Sequence, residues 1–199
     1  MAKFVVTISR EYGSGGHLIG SELATDLGVE CYDRNLVELA AQESGFSTEM
    51  VDEMAKRPTD SFLYSPYIIP GALPLADQVF LAQSRVIQDL VREKSCVIIG
   101  RCANYVLRED PQCLNVFIHA PLESRVRTVR EVYAEKQLDL ASFITKKDKE
   151  RAAYYNFFTP GEWGDRRNYH LSLDSSIGFT RTARVLKKYL EEFLGEKPQ

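Results

Sequence analysis

Apolar residues fall in short blocks separated by longer, periodic stripes. Phe4, Val5, Val6 and Ile8 form a compact run rich in β-branched residues, which predicts a buried strand. Leu18, Ile19, Leu23, Ala24 and Leu27 then recur at helical spacing, and Gly28 ends that helix. Further strands are predicted at Val29–Tyr32, Cys96–Ile99, Leu114–His119 and His170–Leu173. Helical patterns separate them: Leu36–Gln42 with Asn35 as its cap, and a stretch from Ser47 or Thr48 through Met54 and Ala55 that stops at Pro58. Val79 to Lys94 carries another stripe, and Pro121 opens a helix lined by Leu122, Val126, Val129 and Tyr133. Arg125, Arg127 and Arg130 lie off that stripe and are expected to face outward. Ser142–Phe158 is helical and strongly charged, and a last helix buries Phe179, Ala183, Leu186, Leu190 and Phe193.

Strands that alternate with helices imply a doubly wound α/β domain, a parallel sheet with helices on both faces. Ligands of such sheets bind beyond the carboxyl ends of the strands. That edge gathers Gly13–Gly16, Asp33-Arg34, Gly100-Arg101 and Asp174-Ser175. The loop Ser9-Arg10-Glu11-Tyr12-Gly13-Ser14-Gly15-Gly16 lies between the first strand and the first helix. Glycines there let successive N–H groups converge on an anion at the positive end of a helix, a phosphate-binding arrangement. The plainer alternative is a turn and nothing more. Asp174 likewise has two readings, a contact at the ligand edge or a helix cap competing with Ser175 and Ser176.

The stretch Pro58 to Pro74 interleaves four prolines with Phe62, Tyr64, Tyr67, Ile68 and Ile69, which suits a flap or a partner contact rather than regular structure. With 199 residues, 44% of them hydrophobic, the chain is expected to form one domain over 1–199, with flaps near 40–80 and 123–168. A net charge of −3 gives no case for nucleic acid. No start resembling a signal peptide and no membrane-length apolar run are seen, so a cytoplasmic protein without a membrane partner is expected. The four cysteines show no CxxC pair and no histidine at zinc spacing; they read as reduced, mostly buried thiols, with no protein-held metal. Oligomeric state is not readable, although Pro58–Pro74 would be the segment to supply an interface.

The ligand edge carries many arginines and no nucleophilic triad. His119 and His170 belong to strands, and only His17 sits in the loop. Phosphoryl transfer asks for positioning and positive charge more than for a nucleophilic side chain, so this set suits it. Arg101 stands out because it follows a buried strand at that edge. Arg127, Arg130 and the run Lys146–Arg151 have the alternative reading of solvated helix faces.

The blocks ISREYGSGGHLIGSELA, CYDRNLVE, IIGRCANY, VFIHAPLESRVRTV, KKDKERAAYYNFFT and YHLSLDSS, in that order, resemble the cytidylate kinase-like family of P-loop nucleoside monophosphate kinases. The resemblance implies a three-layer P-loop kinase fold with a five-stranded parallel sheet, a monophosphate-binding flap and a lid. It implies transfer of the ATP γ-phosphate, with Mg²⁺, to a nucleoside monophosphate, with CMP or dCMP as the expected acceptor and CMP as the family's namesake. Donor phosphates would lie on Tyr12, Gly13, Ser14, Gly15, Gly16, His17 and Leu18. Asp33, Arg34 and Arg101 would meet the acceptor, and Arg125, Arg151 and Arg166 would close from the lid. The acceptor itself is not readable from the residues.

One departure stands out. A Walker loop reads GxxxxGK[ST]. Laid over Arg10–His17, its first glycine becomes Arg10, its lysine Gly16 and its hydroxyl residue His17. Arg10 is expected to supply the missing cation from the other end of the loop, with Ser9 or Ser14 supplying an oxygen. The rival reading is a nucleotide-binding regulatory module with weak turnover. A two-domain glycosyltransferase with a GGTGGH loop would need a second domain, and a GxGxxG dinucleotide loop would need a glycine at Leu18.

Overall fold

β1 (Val5–Arg10) is the central strand of an all-parallel sheet, ordered β2 (Glu30–Tyr32), β3 (Cys96–Ile99), β1, β4 (Cys113–His119), β5 (Leu171–Asp174). The computed structural model describes residues 3–56 and 73–195. β1 pairs with β3 from Val5 opposite Cys96 and with β4 from Val5 opposite Cys113. Because β2 and β3 lie on one side of β1 and β4 and β5 on the other, the crossovers part at its carboxyl end. That is where an open α/β sheet leaves a crevice.

The apolar runs occupy the strands that are covered on both faces. Val6, Ile8, Val97, Ile99, Leu114, Val116 and Ile118 point to one side and pack with α1 (Gly16–Leu27) and α8 (Phe179–Phe193). Val5, Cys96, Ile98 and Cys113 point to the other, toward α2 (Asn35–Ser44), α4 (Leu75–Glu93) and the four-residue helix α5 (Ala103–Val106). Gly20 sets how closely α1 approaches: a Cβ there would lie 2.4 Å from Ile99 Cδ1. Only a glycine lets the helix lie this low over the β1–β3 pair.

α3 (Thr48–Lys56) joins α2 and α4 in a separate apolar cluster of Val37, Ala40, Val51, Met54, Ala76 and Val79. This cluster falls inside the expected flap. The proline-rich stretch of that flap, apart from Leu73 and Pro74, lies outside the described residues. The expected lid holds α6 (Leu122–Glu131) and α7 (Leu140–Phe158). Asp139 caps α7 by accepting the Ser142 N–H at 3.0 Å.

Local expectations hold with a few corrections. Asn35 is not the cap of α2; it is the first helical residue, and its Oδ1 accepts the Asp33 N–H at 2.8 Å, bracing the turn before the helix. Ser47 does cap α3, through the Met50 N–H at 3.2 Å. Asp174 caps a short 3₁₀ turn at Ser175–Ile177 rather than α8, whose N-cap is Gly178. Arg125 does not face outward: its side chain is only 11% exposed, drawn inward by two carboxylates. All four thiols are free, with Cys96, Cys102 and Cys113 buried.

Candidate active site

The loop after β1 turns on two left-handed glycines, Gly13 at φ +83° and Gly15 at φ +77°. Both are also hemmed in. A Cβ at Gly13 would meet the Arg125 carbonyl oxygen and Val129 Cγ2 at 2.9 Å, and one at Gly15 would meet the Phe179 ring at 2.3 Å. α1 therefore starts deep in the molecule, and no side chain caps its first turn. Neither is there an acidic residue in that turn to answer the positive end of the helix. Such an end is suited to an external anion.

The loop amides are not all available, however. The Tyr12 N–H donates to Asp148 Oδ1 at 2.7 Å and the Ser14 N–H to the Glu11 carbonyl at 3.3 Å. Ser14 Oγ donates to that same carbonyl at 2.9 Å. The Gly15 N–H, also expected among the phosphate ligands, meets the Tyr133 side chain, so the amides left to face an anion are those of Gly13 and of the first turn of α1, at Gly16, His17 and Leu18. Tyr12 and Ser14, expected among the phosphate ligands, instead hold the loop's shape.

Arg10 ends β1 and its side chain runs across the loop. A Cβ at Gly16 would lie 2.6 Å from Arg10 Cβ and 2.8 Å from Cγ, and one at Gly100 would lie 2.2 Å from Nη1. The guanidinium thus rests over the end of β3, with Asp33 3.6 Å away. Burial and the neighbouring Arg151 push its pKa down, to about 9, against the attraction of Asp33. It stays charged at neutral pH, under-compensated among cations.

β3 ends in a run that the chain adopts against its preference. Gly100, Arg101 and Cys102 all have positive φ, at 74°, 56° and 54°. A left-handed conformation costs a non-glycine residue roughly 1–2 kcal/mol, and such strain collects at functional sites. Here it turns Arg101 into a cavity, with Asp52 of α3 at 3.8 Å. Burial lifts the Cys102 thiol to about 12, so it lines the cavity as a neutral group.

That cavity has a volume of about 350 Å³. Arg10, Arg34, Arg101 and Arg151 reach it from four elements, together with Lys147, while Tyr154, Tyr155 and Trp163 supply aromatic surface. Arg151 Nη1 donates to the Arg10 carbonyl at 2.9 Å, and its guanidinium stacks over the Tyr12 ring. Tyr154 Oη donates to Gln83 Oε1 at 2.8 Å, and Tyr155 Oη accepts from Asn104 Nδ2 at 3.0 Å. Two of the expected arginines lie elsewhere. Arg125 is held by Asp148 at 2.5 Å and Glu11 at 3.4 Å, and Arg166 sits exposed on a 3₁₀ turn away from the cavity lining. Lys147, Tyr154, Tyr155 and Trp163 do not stand out in the sequence, where the run Lys146–Arg151 reads as a charged helix face.

His17 stands where a Walker loop has its hydroxyl, and its Nδ1 lies 2.8 Å from Asp33 Oδ2. Among the described residues, no three His, Cys, Asp or Glu side chains come together to hold a metal. Mg²⁺ on a nucleotide needs less, since it keeps waters and phosphate oxygens and takes one or two carboxylates. Asp33, beside the uncapped start of α1, fits that demand.

The profile of the cytidylate kinase-like family matches residues 5–177. The chain belongs to the cytidylate kinase-like family. Its fold is that of the P-loop kinases. A Eubacterium ventriosum protein of known structure is similar, with a TM-score of 0.70 at 24% identity over 95% of this chain and 99% of its own. Shikimate kinase from Acinetobacter baumannii, solved with shikimate, gives 0.54 at 16% identity over 100% and 97%. Deoxyadenosine kinase from M. mycoides, solved with dCMP and dCDP, gives 0.53 at 9% identity over 95% and 100%. At these identities the likeness is one of fold. No curated protein matches the chain.

Proposed function

We propose that this cytidylate kinase-like protein is a phosphotransferase that moves the γ-phosphate of Mg·ATP onto a nucleoside monophosphate, CMP or dCMP being the first candidates. The observation that carries the reading is an uncapped helix start packed by Arg10, which also lines a cavity reached by four arginines. The amides of Gly13, Gly16, His17 and Leu18 would hold donor phosphates, and Asp33 would hold the magnesium ion. That ion would neutralise charge on the donor phosphates. Arg34 and Arg101 would seat the acceptor phosphate on the β2–β3 side, while the aromatic wall of Tyr154, Tyr155 and Trp163 offers a face for a base.

In the transfer an acceptor phosphate oxygen forms the new bond to the γ-phosphorus as the bond to the β–γ bridging oxygen breaks, leaving ADP. Negative charge gathers on the transferring oxygens. Arg10 and Arg151, fixed by burial and by the hydrogen bond from one to the other's carbonyl, meet that charge without having to move. The rings around them keep bulk water from competing as acceptor.

A coupled assay of ADP release across nucleoside monophosphates tests the reading. Turnover above the ATP-only background with a pyrimidine monophosphate is the expected result. Retained Mg·ATP binding with no ADP release for any monophosphate would replace it with a nucleotide-sensing role. The motif departure alone favours that rival; the four arginines gathered at one cavity favour catalysis.

A further inference from the structure

We propose that Arg10 and Gly16 are a matched exchange: the phosphate-loop cation has been moved from the first turn of the helix to the end of the strand, and position 16 must be glycine for it to pass. The inference rests on the phosphate-binding reading above and deepens it.

Glycine at 16 has no conformational reason. Unlike Gly13, Gly15 and Gly100, Gly16 has no positive φ, and any L-residue fits its helical backbone. What excludes a side chain is Arg10 alone: its Cβ, Cγ and Cδ are the three nearest atoms a Cβ at 16 would meet, at 2.6, 2.8 and 3.6 Å. The stem of Arg10 therefore fills the channel into which a lysine at position 16 would grow. The two side chains are mutually exclusive occupants of one path.

The far end of that path is equally prepared. Gly100 leaves the space that Arg10 Nη1 occupies. Asp33 approaches Nη2 at 3.6 Å, beyond hydrogen-bonding reach, and shares its other oxygen with His17. Arg101 and Arg151 lie close enough to disfavour the charge on Arg10. A buried guanidinium with two cationic neighbours and one loosely held carboxylate lacks an anion, and a polyphosphate on the adjacent helix start would supply it.

A double-mutant cycle tests the exchange, with inorganic tripolyphosphate and Mg·ATP as titrants and calorimetry as readout. R10G should weaken tripolyphosphate binding about tenfold or more, as expected for a lost charge-assisted contact. G16K alone should lower the melting temperature, because the lysine and Arg10 collide. The double variant R10G/G16K, which also removes the Arg10 Cβ that would lie 2.6 Å from the new one, should regain the melting temperature of R10G and tripolyphosphate affinity to within about threefold of the parent, the non-additivity that marks a shared position. R10M, which keeps the stem without the charge, guards against a folding artefact: it should melt near the parent yet bind like R10G. Unchanged affinity in R10G and R10M, or a double variant no better than R10G, overturns the exchange while the kinase reading stands. A parent protein that binds neither titrant overturns both.

Discussion

Arg125 and Arg151 both reach Tyr12, one from each helix of the expected lid, yet their surroundings make them different groups. Arg125 donates to the Tyr12 carbonyl at 3.3 Å and to Asp148 at 2.5 Å, with Glu11 3.4 Å away. Two carboxylates already answer its charge. Arg151 lies one turn beyond Asp148 on α7 and donates to a neutral carbonyl, that of Arg10. Burial disfavours its charge and Asp148 favours it. The lesson is that an arginine's usefulness at such a site is decided by how many anions have already reached it. The first region is a clasp holding α6 and α7 to the phosphate loop; the second is an open cation.

The largest expected effect separates the two directly. Arg151→Met should lower kcat about 10²–10³-fold, the usual loss for a fixed donor to developing charge, with a near-normal melting temperature. Arg125→Met should instead strand Asp148 beside Glu11, costing stability of about 3 kcal/mol, which thermal or urea melts would register. If Arg125→Met melts normally and loses turnover like Arg151→Met, the division between clasp and cation is wrong.

Arg101→Gly comes next. Glycine relieves a left-handed residue of roughly 1 kcal/mol of strain, so the variant should melt no lower than the parent while turnover with a monophosphate acceptor falls. A clear drop in melting temperature would show that Arg101 serves packing instead, like Arg125.

The smallest effect is on pH. Hydrogen bonds from Ser142, Arg167 and Ser176 hold the carboxyls of Asp139, Asp165 and Asp174 below their ordinary range, Asp165 at about 2. A folded pKa below the unfolded one gives stability that is complete above the unfolded value, roughly 3.9, and is lost as pH falls through the folded value. Urea midpoints should therefore decline between about pH 4 and pH 2, and Asp165→Asn should flatten the low end of that decline.

These contrasts also mark how far the sequence alone could go. Strands such as Val5–Arg10 and Cys96–Ile99 are legible because burial on both faces demands a continuous apolar run, and the helix stripes because one face alone is covered. The edge that gathers Arg10, Asp33 and Arg101 follows from topology. The state of each arginine does not. The fate of Arg125 depends on Asp148, 23 residues away on another helix, and helical periodicity carries no information about such a partner. The same holds for the Tyr12 amide, taken by a side chain 136 residues distant. Gly100 hinted at a turn, but nothing in Arg101 and Cys102 announces that two residues with side chains continue it in the left-handed region. α5, a single turn, is too short for any period to show.

Phe179 lies under Gly15 at a distance that forbids any side chain there, and it opens the last helix, just past the residues the family profile spans. The loop that follows β1 therefore lacks its floor until α8 has docked against it. A chain folded without α8 would present an unsupported glycine loop, and anion binding there should fail even though every loop residue is present.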